Sequence, residues 1–183
     1  MIKIINSIKL EIIGILIYLL LFIIPIITYL KFKEKVNPIA ALKLSNKPIR
    51  NILKAVLISL VYILLLTIKN EFTDRKPINL NIGIMWVSVF LVGTFEEIPF
   101  RGFLLQKLWK KINFVQANIV TTLLFVLIHI PEWIYSGADI IKSSFTVSIV
   151  SLVLGYLFKE YDSLWIPIVC HSIFNFTTWI GLK

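Results

Sequence analysis

Six stretches of the chain are almost wholly apolar, at residues 10–30, 51–68, 80–108, 113–130, 140–158 and 163–182. Each approaches or exceeds the roughly 20 residues that a helix needs to cross a hydrocarbon core of about 30 Å. The pattern predicts an all-α fold, a polytopic transmembrane helical bundle of about six membrane helices, with 1–183 forming a single integral-membrane domain. The third stretch is longer than one crossing requires, so it is expected to tilt or to project from the membrane at its charged end, QKLWKK. Pro25 and Pro99 interrupt apolar runs and are expected to kink their helices, while Pro131 marks where the fourth helix stops or bends. The linker 31–50 has room for a short interfacial helix over 39–44. The first run is too long for a signal-peptide core and has no small-residue cleavage pattern behind it, so it reads as a retained helix.

Composition strengthens this picture. Of the 183 residues 58% are hydrophobic and 16% charged, and the mean hydropathy of +0.88 is beyond what a soluble domain solvates. The formal charge of +9 raises nucleic acid as a partner. The lysines, however, sit in short loops between apolar runs, where the positive-inside bias and anionic headgroups account for them, and no reading motif accompanies them. With alternating segments, Lys31, Lys33, Lys35, Lys43, Lys47, Arg50, Lys107, Lys110, Lys111 and Lys159 fall on one side, expected to be cytoplasmic. Lys3, Lys9, Lys69, Arg75, Lys76 and Lys183 fall on the other, with Glu71, Asp74, Glu132 and Asp139. The single cysteine, Cys170, excludes an intrachain disulfide and a cysteine-rich metal site.

Ionisable groups near the middle of a membrane helix cost about 2.5–3.5 kcal/mol each on insertion scales, so several together call for a reason. Glu96, Glu97 and Arg101 lie in the third segment, His129 ends the apolar run of the fourth, and His171 and Asn175 lie in the sixth. The first, second and fifth carry nothing comparable near the middle; Glu11, Lys54 and Lys142 lie near their ends. Glu97 and Arg101 are four apart with the acid first, the favourable order for an ion pair along one helical face. Glu96 is turned about 100° away and is free to face another helix. His171 and Asn175 are also four apart and share a face.

Taken singly, each residue has an ordinary explanation: charges at a helix end anchor it to the interface, and a membrane histidine or asparagine bonds a neighbouring helix. Together, a carboxylate, two imidazoles and an amide are the parts of a hydrolytic site. A carboxylate with an imidazole deprotonates water, and a second imidazole with an amide N–H steadies the oxyanion formed on a carbonyl. The same residue types also serve a proton or ion carrier, which would string them along the membrane normal rather than gather them around one water. An immunity or interaction protein without catalysis is a third reading.

Three motifs decide how these residues are grouped. EEIPFR fits EExxxR, FVLIH (Phe125 to His129) fits FxxxH, and HSIFN (His171 to Asn175) fits HxxxN, in the order found in CPBP intramembrane proteases, which include CAAX proteases and bacteriocin-processing enzymes. The chain resembles that family over its second half, so 80–182 is expected to be a four-helix catalytic core. The resemblance implies an intramembrane endopeptidase acting on membrane-associated peptides or proteins. Residues matching Glu96 and His129 activate water in that family, those matching His171 and Asn175 form the oxyanion hole, and Glu97, Arg101 and Phe125 support them. No cofactor is expected. Zinc held by Glu96, His129 and His171 is the chemical alternative, since three N or O ligands and an open position suit catalytic zinc; there is no HExxH helix. The chain is shorter than the eukaryotic enzyme that trims prenylated CAAX proteins. Its Ile, Lys and Asn richness points to an AT-rich microbial genome, a plasma-membrane location and peptide maturation or self-immunity.

Overall fold

A computed structural model describes residues 13–73, 77–81, 83 and 85–182. Glu11, together with Lys3, Lys9, Asp74, Arg75, Lys76 and Lys183 of the orientation argument, lies outside the described residues. Among the described residues every regular element is helical.

The first apolar run forms α1, Ile13–Lys33, an uninterrupted helix that twice widens into a π turn, at Leu19–Ile23 and Tyr29–Lys33. Pro25 has no N–H to offer, and just before it the ladder shifts register, the Ile24 N–H reaching the Leu19 carbonyl. The helix buries Ile23, Ile26 and Leu30 on one side and leaves Leu20, Leu21 and Ile24 more than half exposed, as suits lipid. The linker holds α2, Pro38–Ala41, shorter than the expected 39–44. The Asn37 side chain caps it by accepting from the Ile39 N–H at 2.9 Å, and Lys43 in a left-handed conformation (φ 60°) follows it. Lys47, also left-handed, leads into α3, Pro48–Phe72, with Pro48 in the first turn, where a missing N–H costs nothing.

In the third apolar stretch the described helix begins at Met85. It runs as α4 (Met85–Glu97), a π segment (Ile98–Leu105) and α5 (Gln106–Trp109), with helical dihedrals at both junctions, Glu97 and Gln106. Next come α6 (Phe114–Ser136), α7 (Ile140–Tyr161) and α8 (Trp165–Trp179). Asn113 and Asp139 cap α6 and α7 through their side chains. Pro131 does not stop α6. The helix absorbs the lost donor and continues to Ser136, where Gly137 (φ 70°) supplies the left-handed cap that ends it.

Among the described residues, α1, α3, α6 and α7 are long and apolar enough to cross a membrane. The fifteen residues of α8 would span only about 22 Å. This short helix is the hub of the packing, lying against α3, α4 and α7.

The loops expected on one side do meet. Leu164 donates its N–H to the Lys43 carbonyl (3.2 Å), the Trp165 indole donates to the Leu44 carbonyl (2.7 Å), and Lys43 pairs with Asp162 (3.2 Å). Lys107 pairs with Glu34 and holds that carboxyl below its usual range. At the opposite end the Asn79 N–H donates to the Ile180 carbonyl (2.9 Å).

Candidate active site

The site begins with a close approach of backbones. Gly93 lies on the face of α4 that meets α8, where a Cβ would stand 2.5 Å from the Ser172 hydroxyl and 3.0 Å from the Ile168 carbonyl. Hydrogen in place of a side chain lets the helices touch, and this sets Glu96 and Glu97, one turn on, beside His171. The ladder then widens into the π segment at Ile98, with Pro99 in its first turn. Such widened turns occur often at functional sites because they re-aim side chains without breaking a helix.

Glu97 and Arg101 form the expected ion pair, Nη1 to Oε1 at 2.9 Å, with both side chains wholly buried. The pair is part of a larger network. Arg101 Nη2 donates to the Ser151 carbonyl (3.1 Å) and hydroxyl (2.7 Å) on α7, and that hydroxyl lies 2.9 Å from the Thr122 hydroxyl on α6. Glu97 Oε1 also meets His171 Nδ1 at 2.7 Å. Four helical elements are thereby tied through one carboxylate and one guanidinium, while Glu97 Oε2 and Arg101 Nε are buried without a hydrogen-bond partner among the described residues. Phe125 packs at the centre: the Arg101 guanidinium lies 4.7 Å from its ring centroid, and the rings of His129 and His171 lie at 4.6 and 5.9 Å.

Glu96 faces away from this pair, toward the imidazoles. Its Oε2 is 3.6 Å from His129 Nε2 and 3.7 Å from His171 Nε2, and is buried with no hydrogen-bond partner among the described residues. The other ring nitrogens are committed. His129 Nδ1 lies 2.7 Å from the Phe125 carbonyl, and His171 Nδ1 meets the Glu97 carboxylate. Since carbonyl and carboxylate oxygens only accept, each Nδ1 carries the proton, and the Nε2 of a neutral ring offers a lone pair. A carboxylate oxygen and two such nitrogens therefore converge, and this arrangement is satisfied by a proton on an imidazole or by a water donating into it.

Glu96, Glu97, Arg101, Phe125, His129 and His171 are thus brought together. Asn175 lies one turn past His171 on α8 and is half-buried; none of the described contacts joins it to Glu96 or His129. Among the described residues no group of three His, Cys, Asp or Glu side chains is arranged to hold a metal ion. Sequence reasoning missed Ser151 and Thr122, and its one available signal was their hydroxyls inside apolar helices. Beside Glu96 an apolar cavity of about 260 Å³ opens between α1, α4 and the end of α8, bordered by Ile15, Tyr18, Leu91, Phe95 and Trp179.

Residues 77–177 match the family described as "Type II CAAX prenyl endopeptidase Rce1-like", a span that contains all seven motif residues. The chain is 25% identical over 95 residues to the Bacillus subtilis (strain 168) protein named "Putative membrane peptidase YdiL", an alignment covering 51% of this chain and 35% of that one. The chain therefore spans about a third of the length of the curated relative it matches. No solved structure matches it.

Proposed function

The chain belongs to the type II CAAX prenyl endopeptidase Rce1-like family of CPBP proteases, and on that premise we propose that it is an intramembrane endopeptidase in which Glu96 and His129 activate water. Glu96 takes a proton from a water held between it and His129, and the resulting hydroxide attacks the peptide carbonyl. Asn175, an amide donor that needs no extra proton, and His171 in its imidazolium form steady the oxyanion. When the C–N bond breaks, the proton taken from water passes to the leaving amine. Glu97 and Arg101 keep His171 in place, and Phe125 holds both rings. This reading requires no metal.

The observation that carries the proposal is the meeting of Glu96 Oε2 with both Nε2 atoms, from three different helices, around one point. A proton relay would need its groups spaced along the membrane normal instead. The substrates are membrane-associated peptides or proteins of CAAX type, or a maturing bacteriocin. The enzyme works in a microbial plasma membrane with its lysine-rich end in the cytoplasm.

The test is incubation of the purified protein with a library of membrane peptides and sequencing of the products, with Glu96→Gln as the comparison. Cleavage at defined bonds by the native protein, and its loss in a folded Glu96→Gln protein, is the expected result. Equal cleavage by both would overturn the assignment.

A further inference from the structure

A hydroxyl inside an apolar helix ordinarily bonds the carbonyl four residues back, as Thr121 does to Ala117 at 2.8 Å and Thr94 to Phe90 at 2.9 Å. Ser151 and Thr122 behave differently. Both are buried, and their hydroxyls meet each other between α7 and α6 at 2.9 Å. Arg101 Nη2 then donates to the Ser151 hydroxyl at 2.7 Å and to the Ser151 carbonyl at 3.1 Å. The second terminal nitrogen, Nη1, holds Glu97 Oε1 at 2.9 Å, and that same oxygen accepts from His171 Nδ1 at 2.7 Å. An unbroken chain of bonds thus runs through Thr122, Ser151, Arg101, Glu97 and His171, from the α6–α7 contact to the imidazole that faces Glu96.

We propose that Ser151 is a positioning residue for His171, acting through Arg101 and Glu97. This rests on the hydrolytic reading, in which His171 steadies the oxyanion. Within the ion pair, Glu97 Oε2 and Arg101 Nε have no hydrogen-bond partner among the described residues, so the two side chains are joined by a single bond, Nη1 to Oε1, about which the guanidinium is free to pivot. The Nη2 contacts with Ser151 stop that motion. A planar fork gripped at both ends keeps its plane, and with it the direction of its bond to Glu97. Glu97 Oε1 serves Arg101 and His171 at once, so a carboxylate that turns with the guanidinium carries the imidazole away from the place where the oxyanion forms. Donors in such sites act over about 2.7–3.1 Å, and small displacements are costly. A serine needed only to pack α7 against α6 would contribute stability without any bearing on His171.

Ser151→Ala removes the shorter of the two contacts and leaves the carbonyl. In the full chain in detergent, kcat should fall by about tenfold, the worth of one hydrogen bond to a charged group, with KM unchanged. Thr122→Val, one step further along the chain of bonds, should act in the same direction by less. A second readout does not depend on proteolysis. The chain has two histidines, so labelling histidine with an NMR-active nitrogen isotope yields two imidazoles, told apart by His129→Gln. The Nδ1 proton of His171, bonded to Glu97, should resonate far downfield in the native protein and move upfield in Ser151→Ala, and less so in Thr122→Val. An unmoved His171 resonance, whatever happens to the melting temperature, overturns the proposal, and so does an unchanged kcat. Should Ser151→Ala fail to fold, Thr122→Val decides in the same two ways. A moved resonance in a protein that cleaves no peptide keeps the link from Ser151 to His171 and removes the hydrolytic reading alone.

Discussion

Two seams of this bundle are built on opposite principles. Along α3, the residues buried against neighbouring helices are Asn51, Ala55 and Ser59, small or polar side chains four apart on one face, while Leu53, Leu57 and Leu64 point outward. The α3–α8 contact is held by shape and by weak bonds, such as the Ser59 hydroxyl to the Cys170 sulfur at 3.7 Å. Around Arg101, by contrast, α4, α6, α7 and α8 are joined through Glu97, Ser151, Thr122 and His171. In a membrane, lipid tails are as apolar as leucine, so association relies on close packing and polar bonds rather than on a hydrophobic drive. The first seam uses packing and tolerates change. The second uses charge, which is costly if any partner is lost but fixes each side chain to one position, as a reaction centre needs.

The sharpest break should come from Glu97→Gln. It leaves Arg101 without its anion and weakens the hold on His171, so about 3–5 kcal/mol of stability should be lost, with activity falling alongside, measured by thermal unfolding and peptide cleavage in detergent. A variant as stable as the native protein would show that the Ser151 contacts alone suffice for the guanidinium.

Gly155→Ala should come next. A Cβ there runs into the Asn118 amide, which is itself held to α7 by a 2.9 Å bond from Nδ2 to the Leu152 carbonyl. Forcing α6 and α7 apart should cost about 1–3 kcal/mol and loosen the Thr122–Ser151 contact. Reduced melting temperature together with partial loss of cleavage is the expected reading, and loss of neither would mean that the two helices have slack between them.

Ser59→Ala, on the other seam, should change stability by no more than about 0.5 kcal/mol and leave cleavage rates alone. A cost comparable to that of Glu97→Gln would erase the contrast between the seams. Smallest of all should be the effect of stripping metal. Elemental analysis of active protein should find less than one equivalent of zinc, and the rate should be the same after its removal. Activity that falls with zinc and returns with it would make Glu96, His129 and His171 ligands after all.

Much of the site could be read locally. Helical spacing alone paired Glu97 with Arg101 and turned Glu96 toward another helix, because a four-residue step returns to the same face and a one-residue step does not. The apolar runs placed the helices, since a chain with few polar groups must satisfy its backbone internally in lipid. Helix ends were less legible. Pro131 lies inside α6 because a membrane helix tolerates one missing donor, and the true stop was Gly137, whose positive φ suits the cap.

What the residue order determined, then, was the set of helices, the face on which each polar group lies, and the chemistry those groups share. What only the tertiary structure decided was who meets whom across helices. His171 stands between two glutamates, bonding Glu97 through Nδ1 and facing Glu96 through Nε2. Ser151 completes the surroundings of Arg101. Those meetings depend on α4 and α8 touching at Gly93 and on the Asn118 side chain fitting against Gly155. Periodicity describes one helix at a time, and the distance between two helices is set by the atoms that happen to lie between them.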